Sequence, residues 1–148
     1  MKKVFLDTNI MIDLIGRREQ YCMPSMQIMS LADRGLIRVY VSALSYATAS
    51  FILGKYNKEL DVFSEFSKFM KITTTTLVDS STIENSVESK FKDFEDAMQY
   101  FSAKHENVDY IITRNKKDFE ASDIPIFEPQ EFIVFLLSES TTDKQKRQ

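Results

Sequence analysis

Aspartates recur in this chain where a strand or a helix would deliver them to a common edge. Asp7 closes the apolar run Val4-Phe5-Leu6, Asp93 and Asp96 sit in Asp93-Phe94-Glu95-Asp96-Ala97, and Asp118 ends Thr113-Arg114-Asn115-Lys116-Lys117-Asp118. Carboxylates gathered at one place repel one another, and a divalent cation relieves that repulsion. Magnesium and manganese want hard oxygen ligands, and they stabilise the charge on the attacking and leaving oxygens when a phosphodiester is hydrolysed. Little else in the chain competes for chemistry. The single histidine, His105, lies among Lys104, Glu106 and Asn107 and reads as a surface residue near a helix end. The single cysteine, Cys22, excludes an internal disulfide and reads as a buried small hydrophobe. There is no C-x-x-C and no zinc-ligand spacing. Taken singly, each aspartate also has an ordinary reading. A strand-end aspartate is more often a helix cap than a ligand, Asp93 and Asp96 can be a solvated helix face, and Asp118 can be a turn residue.

The elements that must position these groups follow from periodicity. Val4 to Leu6 is a buried strand with a carboxylate at its end. Thr8 or Asn9 caps a helix carrying Ile10, Ile12, Leu14 and Ile15, which Gly16 stops. A second helix spans Cys22 to Asp33. Ile37 to Val41 is β-branched and aromatic, hence a strand, and Ser42 caps a helix from Ala43 to Tyr56. Val62, Phe63, Phe66, Phe69 and Met70 form an apolar stripe at helical spacing. Thr75 to Val78 is a short strand, followed by a helix from Ser81 to Ser89 and another from Phe91 to Lys104. In that last helix Phe91, Phe94, Met98 and Phe101 form the expected core stripe. By the ~100° helical step, Asp93 and Asp96 face a site beside that stripe and Glu95 points away into solvent. Asp109 to Thr113 and Ile124 to Phe127 are strands, and Pro129 opens a final helix. Strands alternating with helices give an α/β domain with a central parallel sheet flanked by helices on both faces. Such sheets bind ligands at the C-terminal ends of their strands, where Asp7, Ser42 and the Thr113–Asp118 segment fall. Residues 1–137 are expected as one domain, and the polar tail 138–148 as disordered.

Length and composition are compatible with this. The chain has 148 residues, enough for one domain with one core. Its formal net charge of −3 argues against coating nucleic acid by bulk attraction, and leaves room for an acidic site whose ions meet phosphates. Asp7 interrupts the N-terminal apolar run too early for a signal peptide, and no stretch approaches the ~20 apolar residues of a membrane span. A soluble, cytoplasmic protein with no membrane contact is expected.

The order of these motifs resembles the PIN-domain family. Phe5-Leu6-Asp7-Thr8-Asn9 is similar to its opening, Val41-Ser42-Ala43-Leu44-Ser45 to its second strand and helix start, Asp93-Phe94-Glu95-Asp96-Ala97 to its third acidic motif, and Ile112 to Phe119 to its last. The resemblance covers roughly residues 1 to 137, and many small members resemble VapC-like toxins, ribonucleases neutralised by an antitoxin. It implies that Asp7, Asp96 and Asp118 are catalytic metal ligands for Mg2+ or Mn2+, with Asp93 a neighbouring ligand. Asn115 stands where other members often carry an aspartate. The same resemblance gives Thr8, Asn9, Thr113 and Asn115 supporting roles and makes Arg114 and Lys116 contacts to the RNA backbone. RNA, a small antitoxin and a second copy in a homodimer are the implied partners.

One position departs from the pattern. PIN nucleases usually carry a glutamate in the helix after the second strand; here that position falls near Thr48, and no acidic residue occurs between Asp33 and Glu59. The departure implies weaker metal affinity and keeps open a second reading, a PIN-fold RNA-binding or regulatory protein with little or no activity. A haloacid-dehalogenase-type phosphatase, which also opens with a strand and an aspartate, needs a second aspartate where this chain has Asn9.

Overall fold

The computed structural model describes residues 1–147. The chain forms five parallel strands in the order β3-β2-β1-β4-β5, where β1 is Lys2–Leu6, β2 Ile37–Ser42, β3 Thr74–Thr76, β4 Tyr110–Ile112 and β5 Ile126–Phe127. The helices are α1 (Thr8–Ile15), α2 (Cys22–Asp33), α3 (Ala43–Tyr56), α4 (Val62–Met70), α5 (Ser80–Val87), α6 (Phe94–His105) and α7 (Pro129–Lys146), with a 3-10 turn at Lys116–Phe119. The expected α/β architecture is therefore what the chain adopts.

Side-chain alternation along β1 divides the core. Val4 and Leu6 pack on one face with Ile10, Ile28, Leu53, Phe69 and Phe132 from α1, α2, α3, α4 and α7. Phe5 points to the other face and packs with Tyr100 and Ala103 of α6 and with Phe119. A one-residue slip of β1 would exchange these faces, so burial on both sides fixes its register against β2 and β4. The chain winds outward from β1 through β2 to β3, then returns to place β4 on the other side of β1. The crevice at the C-terminal ends of β1 and β4 lies where the strand order reverses, the usual place for a ligand in an open parallel sheet.

Several local expectations change. Asp7 itself, rather than Thr8 or Asn9, is the N-cap of α1, accepting from the Thr8 amide at 2.8 Å. The helix expected from Phe91 starts at Phe94, with Asp93 as its N-cap, because a carboxylate there satisfies the free Asp96 amide at 3.0 Å. Its most buried face is Ala97, Gln99, Tyr100, Ser102 and Ala103; of the expected stripe, Phe91 and Phe101 pack partly buried against the core, while Phe94 is 46% exposed. The stripe of α4 also divides: Phe69 is buried, while Phe63 and Met70 face solvent. The polar segment expected to be disordered continues α7 to Lys146, with a capping box at its start, basic residues in its last turn and a Lys2–Glu139 ion pair at 2.7 Å. Cys22 is half-buried and unpaired with any thiol. His105 lies exposed in the last turn of α6. Among the described residues, no helix is long and apolar enough to cross a membrane.

Candidate metal centre

Asp7 anchors the site. Its backbone amide donates to the Ile112 carbonyl at 2.9 Å, tying the end of β1 to the end of β4. Its carboxylate is 7% exposed. It accepts from the Thr8 amide, from the Thr113 hydroxyl at 2.8 Å and from the Gln99 side-chain amide at 3.4 Å. Burial pushes this carboxyl above the usual range, against those hydrogen bonds, which favour the ionised form. Every one of these donors is neutral.

Sequence reasoning missed Gln99, although it is the centre of the buried network. Its amide nitrogen also reaches the Thr8 hydroxyl at 2.9 Å and the Ser45 hydroxyl at 2.8 Å, and its carbonyl accepts a short hydrogen bond from Ser42. Thr8 and Ser45 join at 2.8 Å, and the Ser45 amide donates to Ser42 as the cap of α3. Gln99 is thus a side chain of α6 that fixes the starts of α1 and α3 together beneath Asp7. Its only sequence signal was a polar residue between Ala97 and Tyr100, which reads equally as a solvated position.

The other acids line the mouth above. Asp93, Asp96 and Asp118 border a cavity of about 300 Å³ together with Lys90, Lys92 and Lys117. Half-burial, then the charges of Asp7, Asp93, Asp118 and Glu95, push the Asp96 carboxyl up to about 7. The acids offer hard carboxylate oxygens, the donor type that Mg2+ or Mn2+ takes, with three lysines on the same rim. Among the described residues, no three His, Cys, Asp or Glu side chains stand close enough to hold an ion in this arrangement.

The supporting groups separate into two sets. Thr113 donates to Asp7 and accepts from Asn9 at 3.3 Å and from the Asn115 amide at 3.1 Å, while Asn9 accepts from the Arg114 amide at 3.4 Å. These bonds knit the start of α1 to the loop after β4. The Asn115 side chain is exposed and caps nothing. Arg114, expected at the RNA backbone, instead grips the buried Asp13 with two nitrogens at 2.6 and 3.2 Å and stacks on Tyr21 at 4.1 Å. Lys116, expected in the same role, stays exposed and forms a surface pair with Glu131 at 3.2 Å. The cations that border the acidic mouth are Lys90, Lys92 and Lys117, which sequence reasoning did not single out. Glu95, expected in solvent, is half-buried and accepts from the Thr48 hydroxyl at 3.3 Å.

A parallel sheet of this order with its acids at the strand ends defines the class. The chain belongs to the PIN-domain family, whose profile, described as PIN domain, matches residues 3–117. Among characterised proteins it is similar to ribonuclease VapC1 of Aquifex aeolicus, at 26% identity over 136 residues that span 88% of this chain and 93% of that protein. Its fold is similar to that in the crystal structure of VapBC2 from Rickettsia felis bound to a DNA fragment from their promoter, with a TM-score of 0.67 at 16% identity, covering 85% of this chain and 98% of that one. A toxin-antitoxin complex from Klebsiella pneumoniae gives a TM-score of 0.62 at 22% identity, covering 85% and 97%.

Proposed function

We propose that this protein is a divalent-metal-dependent endoribonuclease, the toxin of a toxin–antitoxin pair. The observation that carries the reading is the buried Asp7, held by neutral donors only, beneath the half-buried Asp96, whose carboxyl burial and then the surrounding acids push up to about 7. Carboxylates gathered in a cavity at the strand ends are an arrangement whose mutual repulsion a divalent cation would relieve. Family membership and the likeness to a ribonuclease support the same reaction.

Asp7, Asp96 and Asp118, with Asp93 beside them, would hold Mg2+ or Mn2+, which supplies charge stabilisation at the attacking and leaving phosphate oxygens. The chain's own residues do the rest. Thr113, Thr8 and Gln99 orient Asp7, and their hydrogen bonds favour its ionised form against the opposing effect of burial. Asn9 and the Asn115 amide fix Thr113 in turn. Lys90, Lys92 and Lys117 border the mouth where a phosphate backbone would lie, and their contacts would position RNA without reading its sequence. An antitoxin that occupied this mouth would block it. The likeness to toxin–antitoxin structures concerns the fold, and supports such a partner by analogy.

A specific observation favours the alternative of a PIN-fold RNA-binding protein with little activity. No carboxylate stands on α3, and among the described residues no trio of acids is gathered tightly enough to hold an ion. One experiment separates the two. The purified chain is incubated with single-stranded RNA with Mn2+, with Mg2+ and with EDTA. Cleavage that requires the metal is the expected result. RNA binding with no cleavage under any metal condition would favour the alternative.

A further inference from the structure

We propose that the cavity between the start of α2, the loop after β4 and the start of α7 is a nucleobase subsite: one unpaired base of the RNA strand stacks on the Tyr21 ring while a neighbouring phosphate lies at the acidic mouth. The proposal rests on the ribonuclease reading above and extends it from the bond that is cut to the base beside it.

Two cavities share one loop. The loop after β4 sends Lys117 and Asp118 to the acidic cavity, and Arg114 to a second cavity of about 280 Å³ on the side of α2 and α7. Thr113, the residue before Arg114, donates to Asp7. Arg114 and Lys117 are so near in the chain that their Cα atoms lie at most ~11 Å apart. A short stretch of strand can therefore touch both cavities. Glu128 and Pro129, which follow β5, close the second cavity, so it also stands at the C-terminal ends of the strands, where an open parallel sheet takes its ligands.

The walls suit a flat, uncharged group. Tyr21 is 40% exposed, and Pro24 and Pro129 add apolar wall on either side. Arg114 stacks on the Tyr21 ring at 4.1 Å, and its guanidinium is gripped in turn by the buried Asp13 at 2.6 and 3.2 Å. The ring is thus held from the core outward before anything binds, which lowers the ordering cost of stacking on it. Among the described residues, the lining holds no cation besides Arg114, whose charge Asp13 matches, and it includes the Glu128 carboxylate. A phosphate is disfavoured there, whereas a base is not. Gln20 and Gln130 bring carboxamides to the same lining, groups that both donate to and accept from a base edge. Unpaired bases are recognised by this combination of an aromatic or guanidinium plane with hydrogen bonds at the edge. A base paired and stacked within a duplex cannot present its face to the ring.

The test is cleavage, with Mn2+ present, of a single-stranded oligoribonucleotide of mixed sequence, first intact and then as a series in which one nucleotide at a time is replaced by an abasic ribose. With the unsubstituted chain, removing the base at one position beside the cut bond should lower kcat/KM roughly tenfold, the size of one base stacked on an aromatic ring. Tyr21→Ala should lower cleavage of the intact strand by a similar factor and make that abasic position silent. Tyr21→Phe, which keeps the ring, should behave as the natural chain does. The chain has no tryptophan, so Tyr21→Trp supplies a single reporter. Its fluorescence should be quenched by the intact strand before the cut, and much less by the strand that is abasic at that position. If the unsubstituted chain cleaves but ignores every abasic position, or if Tyr21→Ala keeps the same sensitivity, the subsite alone is overturned. No cleavage of any strand by the unsubstituted chain would overturn the ribonuclease reading, and the subsite with it. A poorly folded Tyr21→Ala leaves the decision with Tyr21→Trp, where quenching that does not depend on the base would overturn the subsite.

Discussion

Two buried aspartates belong to the same short helix and meet opposite fates. Asp13 is fully buried and is gripped by Arg114 at 2.6 and 3.2 Å, with Arg18 at 3.7 Å. Asp7, at the other end of α1, is buried almost as deeply and meets no cation: its partners are an amide nitrogen, a hydroxyl and a carboxamide. Both carboxylates have been taken out of water, which is costly for a charge unless it is compensated. At Asp13 the compensation is built into the chain, and the result is a clamp that fixes the loop after β4 against α1. At Asp7 the compensation is left open, and further acids stand nearby. The open carboxylate at Asp7 is the feature on which the proposed metal site rests, whereas the neutralised Asp13 is a structural joint.

The comparison breaks most sharply under substitution of the two residues. Asp7→Asn should reduce metal-dependent RNA cleavage roughly a hundredfold or more, since metal stabilisation of transition-state charge is worth several kcal/mol. Its melting temperature without metal should hold or rise, because an uncompensated buried charge is removed. Asp13→Asn should do the reverse, unfolding earlier by about 3 kcal/mol, the size expected when a buried ion pair loses one partner. Its Mn2+ affinity should stay near the natural value. Parallel melting curves and cleavage rates check both, and two variants with the same pattern of loss would erase the distinction drawn here.

Gln99→Leu should have an intermediate effect. It leaves the hydroxyls of Thr8, Ser42 and Ser45 short of a partner, at about 1–3 kcal/mol for a buried unsatisfied group. It also removes a donor to Asp7, so cleavage should fall along with stability. Denaturant unfolding combined with cleavage kinetics measures the two together. A stable variant with full activity would show that Gln99 merely fills space.

The smallest expected effect is a pH dependence. The Asp96 carboxyl stands at about 7 in the folded chain against an ordinary value of 3.8. Between those values the folded form holds a proton that the unfolded form releases, so stability should fall as pH rises through that window. Asp7, whose carboxyl burial also pushes up, adds a contribution of the same sign. The metal-free protein should therefore melt at a higher temperature near pH 5.5 than near pH 7.5, and Asp96→Asn should flatten the difference. A melting temperature that rises from the lower pH to the higher would contradict the acid-crowded site.

Much of this was legible in the residues themselves. The strand at Val4 to Leu6 ending in Asp7, the bounds of α2 and α3, the parallel sheet and the return of Thr113 to Asp118 to the same edge follow from apolar runs, β-branching and capping residues. These are local properties, and local sequence encodes them. Which face of α6 is buried is not local. A stripe of phenylalanines promises the larger hydrophobic gain, yet Ala97, Tyr100 and Ala103 take the most buried places, Phe91 and Phe101 pack at their margin, and the same face brings Gln99 to Asp7 and Glu95 to Thr48. Charge pairing is equally non-local. Arg114 reads as a cation for a phosphate backbone, but the buried Asp13, far away in the chain, pairs with it, while Lys116 forms an exposed pair with Glu131. The sequence by itself determined which elements form and which acids arrive at one sheet edge. Only the tertiary structure decided which charges are neutralised there and which are left open, because that depends on partners that packing alone brings within a few ångströms.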